Sequence, residues 1–452
     1  MARFIPLRKH KNFQSASVMA IMFFAFMSAC SPLPGHWRPG WNEHKSEGTP
    51  IVETAASWKM TDLETQDGRF IGLAISGGGS RAANFGAAVM LELQQRDILS
   101  QVDVISGVSG GTLPAAYYGL GDKAGPFEAD AVRKTLGYDF QSNWLWRWLL
   151  PHNIFRFWFT DFTRSDIMVQ VFNAHLTHKA TFADLRPHPK ILLNSTIHNN
   201  HTRFTFTDDR FASLHSNLAT YRVANAVNAS SAFPGAFDDV TLENYSPQDP
   251  AVMKTLGVEQ VKYFHLYDGG PIDNLGLQAI VEYLNRNVTG ARGAKAFPNS
   301  CLIFVVDATP ASEHPEINLK QSSRHAIDYL INTNVLDATD TMLIESRRST
   351  LVRSGIPPEK QDQDVRGHFS INDPSGCGCE IRHIALRHLI YMPESAEAPG
   401  LAYRAVRINT KFWLSKEEQD DLFMAAKLLV QELDDNHLLP GPDSKSTCDR
   451  RE

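Results

Sequence analysis

The stretch Phe70-Ile71-Gly72-Leu73-Ala74-Ile75-Ser76-Gly77-Gly78-Gly79-Ser80-Arg81-Ala82 decides the fold. A short apolar run that stops at glycines suits a buried strand. From Ala82 to Ile98 the apolar residues Phe85, Ala88, Val89, Leu91 and Leu93 recur at helical spacing, so this segment is predicted to be a helix lying on the sheet. The pattern then repeats, with Val102–Ile105 as a second strand and Thr112–Leu120 as a second helix. Later strands are expected at Ile191–Ile197, Phe204–Thr207, Val261–Tyr267 and Leu302–Asp307, with helices around Tyr221–Ser230 and Asn274–Arg286. Strands alternating with helices predict an α/β fold of three layers, α/β/α, around a mostly parallel central sheet. Beyond Pro310 the chain reads as a helical extension with room for one strand. It has a long helix between about Ile317 and Val352, a loop over Gly355–Gly378 and a terminal helix over Lys416–Leu433.

Gly107-Val108-Ser109-Gly110-Gly111 falls between the second strand and the second helix. In this context a G-x-S-x-G pattern lets serine occupy a tight turn and project its hydroxyl at the sheet edge. Cβ atoms at Gly107 or Gly111 would obstruct the turn or the helix packing. The pattern alone arises by chance in roughly one of several chains of this length. The glycine loop Gly77-Gly78-Gly79 adds weight, because bare backbone N–H groups approach an oxyanion closely. A right-handed crossover places both loops at the carboxyl edge of neighbouring parallel strands, the geometry that acyl transfer needs. The competing reading, a dinucleotide cradle over Gly77-x-Gly79-x-x-Ala82, is disfavoured because the second strand ends in Ser106-Gly107 rather than an acid. A Walker loop lacks its lysine. As base for the serine, Asp268 of Asp268-Gly269-Gly270 stands at the end of the Val261–Tyr267 strand, an edge where parallel-sheet sites form. A Ser–His–Asp triad also stays open, with His314, His325, His368, His383 and His388 following Asp268.

These blocks, together with Ala229-Ser230-Ser231-Ala232-Phe233-Pro234-Gly235, resemble the signature segments of the patatin-like phospholipases. They span about residues 69–290; Ala82 stands where many members carry glycine. The resemblance implies a Ser–Asp dyad without histidine: Ser109 as nucleophile, Asp268 as base, and Gly77, Gly78 and Gly79 as the oxyanion loop. Arg81 would support that loop or the anionic substrate, and Gly107, Gly111, Gly269 and Gly270 would support the turns. It implies a serine acyl hydrolase of the phospholipase A or lipid esterase type, acting on phospholipids or acylglycerols without a cofactor or metal. A carboxylate of ordinary pKa near ~4 is a weak base for this task. The alternative of another class is a catalytically silent envelope lipoprotein that binds lipid or a partner.

The chain has 452 residues, 43% hydrophobic and 21% charged, close to globular averages. Its net charge of −6 argues against nucleic acid as partner. The amino-terminal residues Arg3, Arg8, Lys9 and Lys11 precede the uncharged run Ala16–Met27, the pattern of a secretory signal. Met27-Ser28-Ala29-Cys30 resembles the bacterial lipoprotein box, although leucine is commoner at its first position. That resemblance implies lipidation of Cys30, and Ser31 gives no inner-membrane retention signal. The expected location is the cell envelope, anchored to the outer membrane and facing the periplasm. Cleavage would remove four of 44 basic residues and leave 40 against 50 acidic ones, a net charge of −10. Lipid chains rather than bulk charge would then hold the protein at a membrane. The organisation expected is a signal over residues 1–29, a tether over 30–60, a catalytic domain over 61–310 and an extension over 311–452 packing on it. Cys301 is expected as a buried strand residue, and a disulfide among Cys377, Cys379 and Cys448 is left without a pairing.

Two further features stand out. Trp144-Leu145-Trp146-Arg147-Trp148-Leu149-Leu150, followed by Phe155, Phe157, Trp158, Phe159 and Phe162, suits either core packing or an acyl-chain or membrane-interface surface. His198 and His201 have H-x-x-H spacing but lie in an Asn-rich turn with no third ligand nearby, so no metal site is expected there.

Overall fold

The computed structural model describes residues 41–44, 69–233, 237–248, 260–288, 300–310, 333–363, 365–369 and 378–440. Residues 41–44 of the expected tether pack on the domain, Trp41 N–H donating to the Thr241 carbonyl and Asn42 Nδ2 to the Glu243 carbonyl, each at 2.9 Å; the signal segment with Cys30, the rest of the tether, Pro234, Gly235, His314, His325, Cys377 and Cys448 lie outside the described residues. So does the first part of the helix expected from Ile317.

The core of the fold is one mixed sheet ordered β5-β6-β3-β2-β1-β7-β9-β8, with β4 also paired to β3. Its strands are β1 (Arg69–Ile75), β2 (Val104–Val108), β3 (Lys190–Ile197), β4 (Thr202–Thr205), β5 (Val240–Glu243), β6 (Tyr263–Tyr267), β7 (Ser300–Asp307), β8 (Arg366–Phe369) and β9 (Cys379–Ala385). The five central strands β3, β2, β1, β7 and β9 are parallel, while β4, β5, β6 and β8 pair antiparallel at the flanks. Of the central strands, β1 and β7 read as nearly continuous apolar runs because helices cover both faces. On one face lie α1 (Gly79–Gln95), α2 (Thr112–Leu120), α5 (Val223–Ser230) and α8 (Lys416–Asp435), sharing one buried cluster with Phe85, Tyr117, Val227 and Leu429. On the other, α6 (Leu277–Val288) packs Ile280 and Leu284 against Phe70 and Ile303. A helical pair, α3 (Phe140–Trp148) and α4 (Pro151–Phe159), is inserted between α2 and β3, and α7 (Thr333–Arg353) follows β7.

Three findings depart from the sequence reading. First, the segment after residue 310 contributes strands to the same sheet: β9 pairs parallel with β7, and β8 antiparallel with β9. β8 falls inside the stretch expected to be a loop. Second, β6 runs antiparallel to β3, with Thr196 opposite Tyr267, so Asp268 is not carried up to a parallel edge. The strand enters from beyond that edge and descends, ending level with the carboxyl end of β2. Third, Cys301 bonds Cys379. The pairing follows from register: Leu302 faces Glu380 across the β7–β9 ladder, which puts the two preceding cysteines side by side with Cα atoms 4.6 Å apart.

Candidate active site

β2 ends at Val108, and the next residue, Ser109, takes φ +49, a left-handed conformation that a non-glycine residue adopts only under local constraint. The constraint is visible on both sides. A hydroxyl from α5, Ser230 Oγ, accepts a hydrogen bond from Ser109 N–H at 2.8 Å. On the following residue, a Cβ at Gly110 would lie 2.0 Å from the Gly79 carbonyl oxygen. The serine turn and the glycine loop are therefore in backbone contact, which only glycine at 110 permits.

Ser109 Oγ donates to Asp268 Oδ2 at 2.8 Å. The other carboxylate oxygen, Oδ1, accepts the Gly270 N–H at 2.8 Å, so each oxygen of Asp268 has its own partner. Asp268 is fully buried; loss of solvent raises its pKa from 3.8 to about 6, against the opposing pull of the Gly270 N–H and the Ser109 hydroxyl. Burial makes it about two pKa units stronger while leaving it ionised above neutrality.

The segment Ser230–Ala232 braces both turns. Beyond the Ser230 Oγ contact with Ser109, its carbonyl accepts Gly269 N–H at 3.2 Å and that of Ala232 accepts Asp268 N–H at 3.1 Å. The sequence marked this block but gave it no task. Asn194, on β3, was missed altogether. Its Nδ2 donates to Ser106 Oγ at 2.8 Å and to the Gly107 carbonyl at 3.0 Å, and its own carbonyl accepts the Ser230 hydroxyl. A buried amide inside an apolar strand was the available signal.

The glycine loop divides its duties. Gly77 N–H donates to the Asn274 carbonyl at 2.9 Å, so it is committed to the scaffold and is not a donor for an oxyanion. Gly78, at φ +135, and Gly79, at φ +58 and the first residue of α1, remain as candidate donors. Their N–H groups open a helix, where intrahelical acceptors are lacking and the dipole favours negative charge. Arg81 is likewise not placed towards an oxyanion. It is 2% exposed and its guanidinium donates to the carbonyls of Ala308 and Ile408, each at 2.6 Å. It also lies against Gly78, where an added Cβ would meet its Nη2 at 2.9 Å. Ser80 N–H donates to the Lys411 carbonyl at 2.7 Å. The loop is thus held from below by a buried arginine and from the side by residues 408–411.

Among the described residues, Ser109 Oγ bonds only Asp268. Of the late histidines, His383 and His388 are engaged elsewhere. His383 Nε2 and Arg347 Nε both meet Asp307 Oδ2, at 3.0 and 2.6 Å. Burial pushes the Asp307 carboxyl up, but Arg347 and then His383 outweigh it and hold it well below the usual carboxylate range. His388 packs edge-to-face on His383, and burial, followed by the charge of His383, lowers its pKa to about 3. His198 and His201 lie edge-to-face in the β3–β4 turn. Among the described residues no group of three or more His, Cys, Asp or Glu side chains is placed to hold a metal ion.

Residues 73–281, from within β1 into the first half of α6, match the family of patatin-like phospholipases. They form a patatin-like phospholipase domain. The match contains Ser109, Asp268 and the glycine loop. No curated protein matches the chain. Among solved structures it resembles human GIVD cytosolic phospholipase A2, at 14% identity and a TM-score of 0.48, over 83% of this chain and 63% of that one. The same enzyme in complex with methyl gamma-linolenyl fluorophosphonate matches at 15% identity and a TM-score of 0.46, over 83% of this chain and 59% of that one. VipD from Legionella pneumophila matches at 11% identity and a TM-score of 0.26, over 90% and 73%. The chain thus spans less than two thirds of the length of the human enzyme.

Proposed function

We propose that the protein is a serine acyl hydrolase that cleaves carboxylic ester bonds of phospholipids or acylglycerols through an acyl-Ser109 intermediate. The observation that carries the proposal is the 2.8 Å hydrogen bond from Ser109 Oγ to a buried Asp268. Ser109 Oγ attacks the ester carbonyl carbon while its proton passes to Asp268 Oδ2. The carbonyl oxygen becomes an oxyanion, for which the N–H groups of Gly78 and Gly79 are the proposed donors. Collapse of the tetrahedral intermediate breaks the bond to the alcohol, which leaves with the proton from Asp268. Water then repeats the sequence: Asp268 takes its proton, the hydroxide attacks the acyl-serine, and the fatty acid departs as Ser109 is reprotonated. Arg81 acts here as a positioning residue for the loop, and Ser230 as one for the nucleophile.

The same proposal places the enzyme in a bacterial envelope, lipidated at Cys30, on the strength of the Met27–Cys30 segment. Globomycin treatment and a Cys30→Ser variant test that part, the expected result being loss of the membrane-bound, lipid-modified mass. The activity is tested by intact-mass labelling with a fluorophosphonate. Label is expected on the wild type, absent from Ser109→Ala and sharply reduced in Asp268→Asn. A folded wild type that takes no label would refute the hydrolase reading and favour a lipid-binding protein without chemistry.

A further inference from the structure

The structure sorts the aromatic stretch into two faces. Phe140, Phe157 and Phe162 are buried, and Trp144 donates its indole N–H to the Arg164 carbonyl at 3.0 Å while packing on Phe237. The other face is open: Leu145, Trp146 and Leu149 on and just after α3, and Phe155 and Phe159 on α4, are 42 to 69% exposed. Phe155 and Phe159 stand one helical turn apart with ring centroids 4.5 Å apart. A cluster of this kind on a soluble surface marks an interaction site.

Two further observations name its occupant. From Phe140 to Thr160 the chain has no acidic residue, but carries Arg147, His152 and Arg156. Between Asp139 and Asp161 the hairpin thus carries two arginines and no acid, on a protein whose net charge is −6, a local excess complementary to anionic lipid headgroups. The hairpin also abuts the candidate active site. Gln141, in the first turn of α3, exchanges hydrogen bonds with Phe412, whose preceding residue Lys411 accepts the Ser80 N–H beside the glycine loop. Phe237 bridges the two, touching Trp144 and Phe412. Among the described residues no helix is long and apolar enough to cross a membrane, so the pair α3–α4 would lie in the surface plane.

We infer that the α3–α4 hairpin docks on an anionic lipid bilayer, inserting Trp146, Phe155 and Phe159 between headgroups and so bringing the Ser109 site to the lipid it cleaves. The inference deepens the hydrolase reading and rests on it for the second clause, whereas the docking itself does not need catalysis.

The test uses the full chain with Ser109→Ala, so that no lipid is consumed, and vesicles of phosphatidylcholine with and without phosphatidylglycerol. Brominated acyl chains are expected to quench part of the tryptophan emission in phosphatidylglycerol vesicles, and that part is expected to vanish in Trp146→Phe. The readout is local to the hairpin, so an anchor at Cys30 does not mask it. Trp146→Ser/Phe155→Ser/Phe159→Ser is expected to partition roughly a thousandfold more weakly, since each of the three buried aromatics contributes on the order of a factor of ten. Arg147→Gln/Arg156→Gln is expected to abolish the preference for phosphatidylglycerol. Unchanged quenching in Trp146→Phe, or equal partition of the triple variant, would overturn the inference. So would a triple variant whose only change is loss of self-association in sedimentation. In the Ser109 background the triple variant is expected to hydrolyse a short soluble ester at the parent rate. Failure of the parent on that ester refutes the hydrolase reading and leaves the vesicle result to decide docking.

Discussion

Replacement of Asp268 by Asn is expected to remove activity and, above neutrality, to stabilise the fold. Asn keeps the size of the side chain and an acceptor for the Gly270 N–H, but removes a charge that is buried with only two hydrogen bonds. The folded-state pKa of about 6 stands above the ordinary 3.8, so the folded protein holds this proton more tightly than the unfolded chain. Wild-type stability from this group is therefore greatest below pH ~4, falls as pH rises from about 4 to 6, and is flat above. Two pKa units correspond to about 3 kcal/mol. The stability difference between Asp268→Asn and wild type should grow by about that amount across the window, other titrating groups cancelling between the two proteins. Parallel denaturant titrations from pH 4 to 8 measure it. The same pKa places the acid limb of kcat/KM near pH 6 rather than pH 4, because the base must be ionised. A stability difference that stays flat from pH 4 to 7, together with an acid limb at pH 4, would refute the account of a desolvated base.

The bracing of the site supports further expectations. Ser230→Ala removes the acceptor of the Ser109 N–H and is expected to lower kcat by about 10- to 100-fold at little changed KM, the scale of one buried hydrogen bond; fluorophosphonate labelling rates would show it. Gly110→Ala drives a methyl group into the Gly79 carbonyl and is expected to abolish labelling and lower the melting temperature, whereas an unaltered labelling rate would argue against contact between the two loops. Arg81→Met strands two carbonyl acceptors and is expected to cost about 2–4 kcal/mol in denaturant titration. Reduction of Cys301–Cys379 opens a loop spanning 78 residues and is expected to cost about 4 kcal/mol in the chain-entropy account, measured by unfolding with and without reductant.

The elements nearest the chemistry were the most legible in the sequence. The second helix falls on Thr112–Leu120 as expected, because an apolar strand, a glycine-bounded serine and a helix each leave a local signature. The structure also brings the Asp-Gly-Gly turn to the serine turn. What the sequence hid was set by distant register. β9 reads Cys-Glu-Ile-Arg-His-Ile-Ala, too polar for a buried-strand signal, and is recruited by pairing with β7. The partner of Cys301 follows from that same pairing. The direction of β6 is invisible to periodicity, since a strand has the same alternation whichever way it runs. Gly77 looks like an oxyanion donor in one dimension, and Arg81 like a support for either the loop or the substrate; their acceptors, Asn274, Ala308 and Ile408, put both in the scaffold.

The hydrogen bond from Ser80 to Lys411 joins residues 331 positions apart in the sequence. The nascent polypeptide therefore emerges with its nucleophile, its base and its glycine loop long before it has the segment that fixes the loop's shape. A truncated product ending near residue 281, where the family match stops, would carry every reacting group and still lack both carbonyls that hold Arg81. The shape of the proposed oxyanion loop is thus completed only once residues 408–411 have been made, well after the groups it would serve.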